Sequence, residues 1–197
     1  MARRSPTVRR TKEEICEAAL SLFCEFGYHE VTIDDIAARA GVTKGAVYYY
    51  FVDKEDLAKD LWHDMWERLG VQARTRIDPS LGVATNLKRS FRAVLEGISS
   101  LGEAQFFLRD AWVLPAVEVV GRDDQRSAVG LLAILITDGI ARGELDSSLD
   151  IGAITAVLLG IYSEAVLHIL NSGESEPTLI LVDRVVDVIL EGKNSKR

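Results

Sequence analysis

The sequence predicts an all-α protein: a compact three-helix unit at the N-terminus joined to a longer helical body. Apolar residues recur at helical spacing almost throughout, and no stretch alternates convincingly as a half-buried strand does. Four capped helix starts fall within the first 53 residues. The polar run "NSGESEP" at 171–177 is a loop, too short to serve as a domain linker.

Taken in order, Thr11 and Glu14 form a T-x-x-E capping pattern. Ile15, Ala18, Ala19, Leu22, Phe23 and Phe26 follow on one face, and Gly27 stops the helix. Residues 1–10 read as a flexible basic arm, carrying Arg3, Arg4, Arg9 and Arg10. Thr32 opens a short helix whose inner face is Ile36, Ala37 and Ala40. Gly41 and Val42 make a tight turn, and Thr43 caps a helix reaching to about Tyr50. Asp53 and Asp56 start the next, with Leu57, Leu61, Met65 and Leu69 at its core face.

Beyond it, Ser80 is expected to cap a helix holding Leu87, Phe91, Val94, Leu95 and Ile98. A segment from Gly102 to Leu114 carries Phe106, Phe107 and Trp112 and ends at Pro115. A helix over about 123–142 ends at Gly143, and Asp150 caps another with Ile151, Ile154, Leu158, Ile161, Ala165 and Ile169 inward. Pro177 opens the last, with Leu179, Val182, Val185, Val186 and Ile189. These last two helices are apolar on more than one face, as helices are when deeply buried or pressed against another subunit.

Net charge is −7, yet residues 1–12 hold five basic side chains and no acid. Distribution outweighs the sum here, since a basic arm on an acidic body can still meet phosphate. No apolar run is expected to reach the roughly eighteen residues needed to span a bilayer, and the N-terminus lacks the apolar core of a signal peptide, so a cytoplasmic protein without membrane contact is expected. Cys16 and Cys24 lie eight residues apart on one helix, about 12 Å along its axis, too far for a disulfide.

Helix, tight glycine turn, short helix is the helix-turn-helix order. With Val47 pointing to the core, Phe51 lies about 40° away and completes the buried edge. Gly45, Ala46 and Tyr49 fall on the opposite side, where two small residues let a helix front approach base edges closely. Lys44 and Tyr48 flank that front, and Thr43 can reach a phosphate as well as cap. Such contacts fix register without reading sequence. The wheel leaves Tyr50 open between packing and phosphate.

The stretch "AALSLFCEFGYHEVTIDDIAARAGVTKGAVYYYFVDKEDL" closely resembles the DNA-binding domain of the TetR/AcrR (tetracycline-repressor-like) family of bacterial regulators. Ala19, Phe23, Gly27, Thr32, Ile36, Ala37, Gly41, Val42, Gly45, Tyr48, Phe51, Lys54 and Leu57 carry the likeness, which covers about a quarter of the chain. At Tyr50 the family commonly has histidine. The resemblance implies a helix-turn-helix domain over 11–52 and a helical effector-binding and dimerisation domain over 53–197. It implies operator contacts from Thr43, Lys44, Tyr48 and Tyr49, with Gly45 and Ala46 nearest the bases and Lys54 on a phosphate. Arg9, Arg10, Thr32 and Tyr50 complete the candidate DNA-binding set. It further implies a homodimer whose recognition helices match successive major grooves, about 34 Å apart, and a small molecule that changes that spacing and releases double-stranded operator DNA.

Trp62, Trp66, Phe106, Phe107, Trp112 and Tyr162 are candidates for an aromatic effector pocket, with Arg109 and His168 as polar handles. Ile154, Leu158, Ile161, Ala165, Val182, Val186 and Ile189 are the candidate dimer interface. His63 and Glu67 stand at i, i+4 but lack a third ligand, so no metal or other cofactor is expected. No nucleophile elbow, phosphate loop or acid–base pair is evident, and an enzyme is not expected. The rival readings are a helical carrier or enzyme that retains the hairpin, and a constitutive regulator or activator without effector.

Overall fold

The computed structural model describes residues 6–98, 101–110 and 127–191, with side-chain detail at 11–98, 102–108 and 127–190. Every regular element among them is helical. The helices are α1 (Pro6–Phe26), α2 (Ile33–Ala40), α3 (Lys44–Tyr50), α4 (Lys54–Arg74), α5 (Val83–Gly97) and α6 (Leu101–Gln105), which continues as a π-helical turn over Phe106–Asp110. Then come α7 (Ala128–Ala141), α8 (Ile151–Ser172) and α9 (Ser175–Glu191).

Packing divides the described residues into two units: those within 1–64 and 102–117, and those within 65–101 and 118–197. The division falls inside α4 rather than at residue 53, and the segment around α6 belongs with the N-terminal helices. Helix α1 starts at Pro6, so the stretch expected as a flexible arm is helical from there and Thr11 is no cap. Proline suits a first helical turn, and nothing between it and Glu14 breaks a helix.

In the first unit Ile15, Ala19 and Phe23 of α1 are buried with Ile36 of α2, Val47 of α3 and Leu57 of α4. Phe23 is the hub of an aromatic cluster, stacking on Phe106 at 4.9 Å and meeting Tyr28 at 5.3 Å. A Cβ at Gly102 would come within 2.7 Å of the Cys24 carbonyl oxygen, so the glycine permits α6 to lie against α1. Lys12 binds Asp60 of α4 at 2.7 Å and lies over the Phe51 ring.

In the second unit, Ser80 does not cap α5: its N–H and hydroxyl both donate to Asp78 within a turn. Gly82 is the cap residue, and the Val83 N–H donates instead to Glu144 Oε2 at 2.6 Å, 61 positions away. Buried Asn86 fastens the same loop to Asp78 and Leu81. Helix α7 is capped by Ser127, and α8 by Asp150 as expected; α8 closes on Gly173 at φ +76°. Phe91 of α5 stacks on Tyr162 of α8 at 4.2 Å. Two ion pairs, Lys88–Asp187 and Arg92–Asp183, join α5 to α9.

Helix α8 is long and apolar enough to cross a membrane by composition (mean hydropathy 1.8), but 44% of that window is already buried inside the protein and α8 packs against α7 and α9. It reads as a core helix. Both cysteines are free.

Burial, then Asp60, pushes the Cys16 thiol up to about 12. Burial, then Glu103, pushes Cys24 up to about 11. The folded protein therefore keeps thiol protons that the unfolded chain gives up above its ordinary value near 9.0. This contribution is complete below that value and is lost as pH rises through the folded values. Urea titrations at pH 8 and 10.5 should show a larger alkaline loss of stability in the wild-type protein than in the Cys16→Ser/Cys24→Ser variant.

Candidate nucleic-acid interface

The turn between α2 and α3 is specified from both sides. Thr32 Oγ1 accepts from the Asp35 N–H while the Asp35 carboxylate accepts from the Thr32 N–H at 2.9 Å, a reciprocal cap. The Thr32 hydroxyl, donating to the Asp35 carboxylate, and then the Thr32 N–H hold that carboxyl below its usual range. Gly41 sits at φ +67°, where a side chain would be strained, and its N–H returns to Ala37 and Ala38. Thr43 then caps α3 by accepting from Ala46 N–H at 3.1 Å.

Val47 is fully buried and Phe51 nearly so, which turns the rest of α3 outward as the helical wheel predicts. Tyr49 is 75% exposed and Tyr48 49%. Gly45 is exposed beside them, and Ala46 is half-buried. A Cβ at Gly45 would meet only Thr43 Oγ1, at 3.8 Å, so internal packing does not require a glycine there. Tyr50 is half-buried, its ring edge-on to Tyr49 at 4.9 Å. Lys44 pairs with Asp34 of α2 at 2.9 Å, and that bond raises its pKa.

Two expected DNA contacts have other employment. The Lys54 ammonium donates to the carbonyls of Tyr28 and Val31 at 2.8 Å each and of His29 at 3.4 Å, and lies 4.3 Å from the Tyr28 ring centre. An ammonium has three N–H donors. Lys54 thus ties α4 to the α1–α2 turn instead of aiming at a phosphate, and burial lowers its pKa. The Thr32 hydroxyl donates to Asp35 at 2.6 Å, which assigns it to the cap rather than to DNA. The Arg9 and Arg10 side chains lie outside the described residues.

The expected effector residues divide. Trp62, Phe106 and Phe107 are buried in the first unit, Trp66 and Tyr162 in the second. His168 is exposed, 4.0 Å from Glu174, and is corrected to a surface residue. The Arg109 side chain and Trp112 lie outside the described residues. Sequence reasoning missed Ser90 and Asp183, whose buried Oγ and Oδ1 atoms, like Tyr162 Oη, are without hydrogen-bond partners in the second unit. Burial, then Asp183, raises the Tyr162 pKa. A serine and an aspartate within apolar helical patterns give little sequence signal that they turn inward. Among the described residues no His, Cys, Asp and Glu side chains gather as a metal site.

The expected dimer contacts also need correction. Leu158, Ala165, Val182 and Val186 are buried within the single chain, so they face its own core. Ile154, Ile161 and Ile189 are half-buried. On α8 and α9 the large apolar side chains left outside are Val157 at 50%, Ile180 at 45%, Leu181 at 61% and Val188 at 72%. Residues 177, 180, 181, 184 and 188 share one helical face, so that second stripe was readable in the sequence.

Fold and site together define a helix-turn-helix transcriptional regulator. Residues 15–61 match the family described as "Bacterial regulatory proteins, tetR family". An uncharacterised HTH-type transcriptional regulator of Bacillus subtilis, YhgD, is 31% identical over 136 residues, covering 68% of this chain and 71% of the relative. The chain belongs to the TetR family. The fatty acid metabolism regulator protein of B. subtilis is 24% identical over 188 residues, 93% of this chain and 95% of that one. The crystal structure of FadR from B. subtilis in complex with stearoyl-CoA superimposes with a TM-score of 0.70 at 20% identity, over 91% of this chain and 98% of that chain. The relatives are named as regulators, not enzymes.

Replacing Lys54 by methionine removes the bonds to the α1–α2 turn while keeping the apolar stem. Chemical denaturation should show a loss of about 1–3 kcal/mol, and the slope of log K against log salt for DNA binding should stay within error of wild type.

Proposed function

We propose that the chain is a dimeric repressor whose α3 enters the major groove of operator DNA and whose second unit binds the effector that releases it. The observation that carries this is the exposed front of α3. A glycine that the fold does not require, an alanine and two projecting tyrosines lie together on a helix fixed from behind by Val47. Small residues let the backbone come near the base edges, Tyr49 stands at the centre, and Tyr48 and Lys44 flank it where phosphates pass. The Thr43 hydroxyl accepts from its own helix and keeps its proton for a phosphate oxygen. Tyr50, packed on Tyr49, supports that ring. Working on DNA, the protein would act in the cytoplasm.

Dimerisation is proposed through the faces of α8 and α9 that the single chain leaves uncovered, centred on Val157, Ile180, Leu181 and Val188. A two-fold pair of such faces forms a four-helix contact. For the effector, the regulator relatives concerned with fatty acids favour an acyl thioester. The largely apolar interior of α7 and α8, with the few unpartnered polar atoms of Ser90, Tyr162 and Asp183, suits a ligand of long apolar chain and few polar groups.

Mobility shift against the DNA upstream of the protein's own gene tests the reading. A saturable, salt-sensitive complex is expected. Tyr48→Phe should weaken it by about 0.5–1.5 kcal/mol on every sequence alike, whereas Tyr49→Ala should also reduce the preference for operator over random duplex. Stearoyl-CoA should raise the melting temperature and release DNA, and free coenzyme A should do neither.

Leu181→Asp should yield a folded monomer by light scattering. Leu158→Ala should instead lower stability by about 2–5 kcal/mol and leave the dimer intact under native conditions.

A further inference from the structure

The DNA-facing surface carries a contact that works against DNA. Lys44 is the cation at the start of α3, and its ammonium is held at 2.9 Å by Asp34 in the first turn of α2. The two side chains are 51% and 67% exposed, so the pair stands in solvent at the edge of the front formed by Gly45, Ala46 and Tyr49. Asp34 is not needed elsewhere: the reciprocal cap of α2 is made by Asp35, and no other described hydrogen bond or ion pair uses the Asp34 carboxylate.

We infer that Asp34 competes with DNA phosphate for Lys44 and so sets the affinity and salt dependence of DNA binding. This rests on the proposed role of α3. When a phosphate takes the ammonium, the Asp34 carboxylate loses its counter-charge close to the DNA backbone. Cation release from DNA by Lys44 is then offset by cation uptake at Asp34, and the net number of ions released falls. An exposed pair of this kind is weak and exchanges readily, so the competition tunes binding without blocking it. The neighbouring acids act in the same direction with less reach: Asp35 is committed to Thr32, and Asp53 and Asp56 accept from the first backbone N–H groups around the start of α4.

The test is a double-mutant cycle on the full-length protein with duplex DNA, using Asp34→Asn, Lys44→Met and the combination, with folding checked by circular dichroism. Asp34→Asn is expected to tighten binding about two- to five-fold per half-site at 0.1 M salt and to steepen the log K against log salt slope by about one. In the Lys44→Met background the same substitution should do neither. Equal tightening in both backgrounds would mean that Asp34 repels phosphate directly, and would overturn competition for Lys44. No change from Asp34→Asn in a wild-type protein that does bind DNA would overturn it too. A wild-type protein that binds no duplex would instead sink the role of α3, and this inference with it.

Discussion

Everything on the exposed side of α3 depends on the burial of Val47. Helix α3 has seven residues, too few to hold itself together in water. Three things hold it: the Thr43 cap, the left-handed turn at Gly41, and the complete burial of Val47 on a helix that packs against α1 and α2. Burying a valine contributes about 1.5–3 kcal/mol, comparable with or larger than either cap bond. Once Val47 points in, the position of every other α3 side chain follows from 100° steps, and the outward row of Gly45, half-buried Ala46 and Tyr49 is a consequence. Lys54 fixes the other border by gathering the carbonyls of the α1–α2 turn, so the scaffold is tied by a charge where a free cation was expected.

The second unit solves a different problem. Its helices are so apolar that burial alone specifies their arrangement loosely. Directional bonds supply the register: Glu144 capping α5 from 61 residues away, Asn86 stitching the loop before it, and the two ion pairs that align α5 with α9. Small residues set the spacing. A Cβ at Gly139 would approach Val83 to 2.9 Å, so α7 and α5 come closer than any larger residue permits. The buried polar atoms of Ser90, Tyr162 and Asp183 stand apart from this economy. Buried groups of this kind are costly unless something satisfies them, and a polar ligand atom or a water would do so.

Local physics made most of the first unit legible. Caps at Thr32 and Thr43 and stops at Gly27 and Gly41 were readable there, as were the Asp150 cap and the Gly143 stop in the second unit, because each depends on a few adjacent residues. Several of the misreadings share one cause, partners distant in sequence. Ser80 resembled a cap, but Glu144 does the capping. Lys54 resembled a phosphate ligand, but carbonyls 23 to 26 residues earlier hold it. Leu158 and Val186 resembled an interface because a doubly apolar helix does not announce which stripe faces its own chain. The pairing of Lys44 with Asp34 was hidden for the same reason, although both residues were in plain view ten positions apart.

Hydroxyl-radical footprinting of the operator bound by the full-length protein tests the central claim most directly. The account predicts two protected patches on one face of the duplex, centred one helical turn or a whole number of turns apart. In a Tyr49→Cys variant carrying a tethered cleavage reagent, cutting should be confined to the major groove at the centre of each patch. Cleavage in the minor groove, or scattered cleavage with no paired protection, would contradict the placement of α3 on DNA.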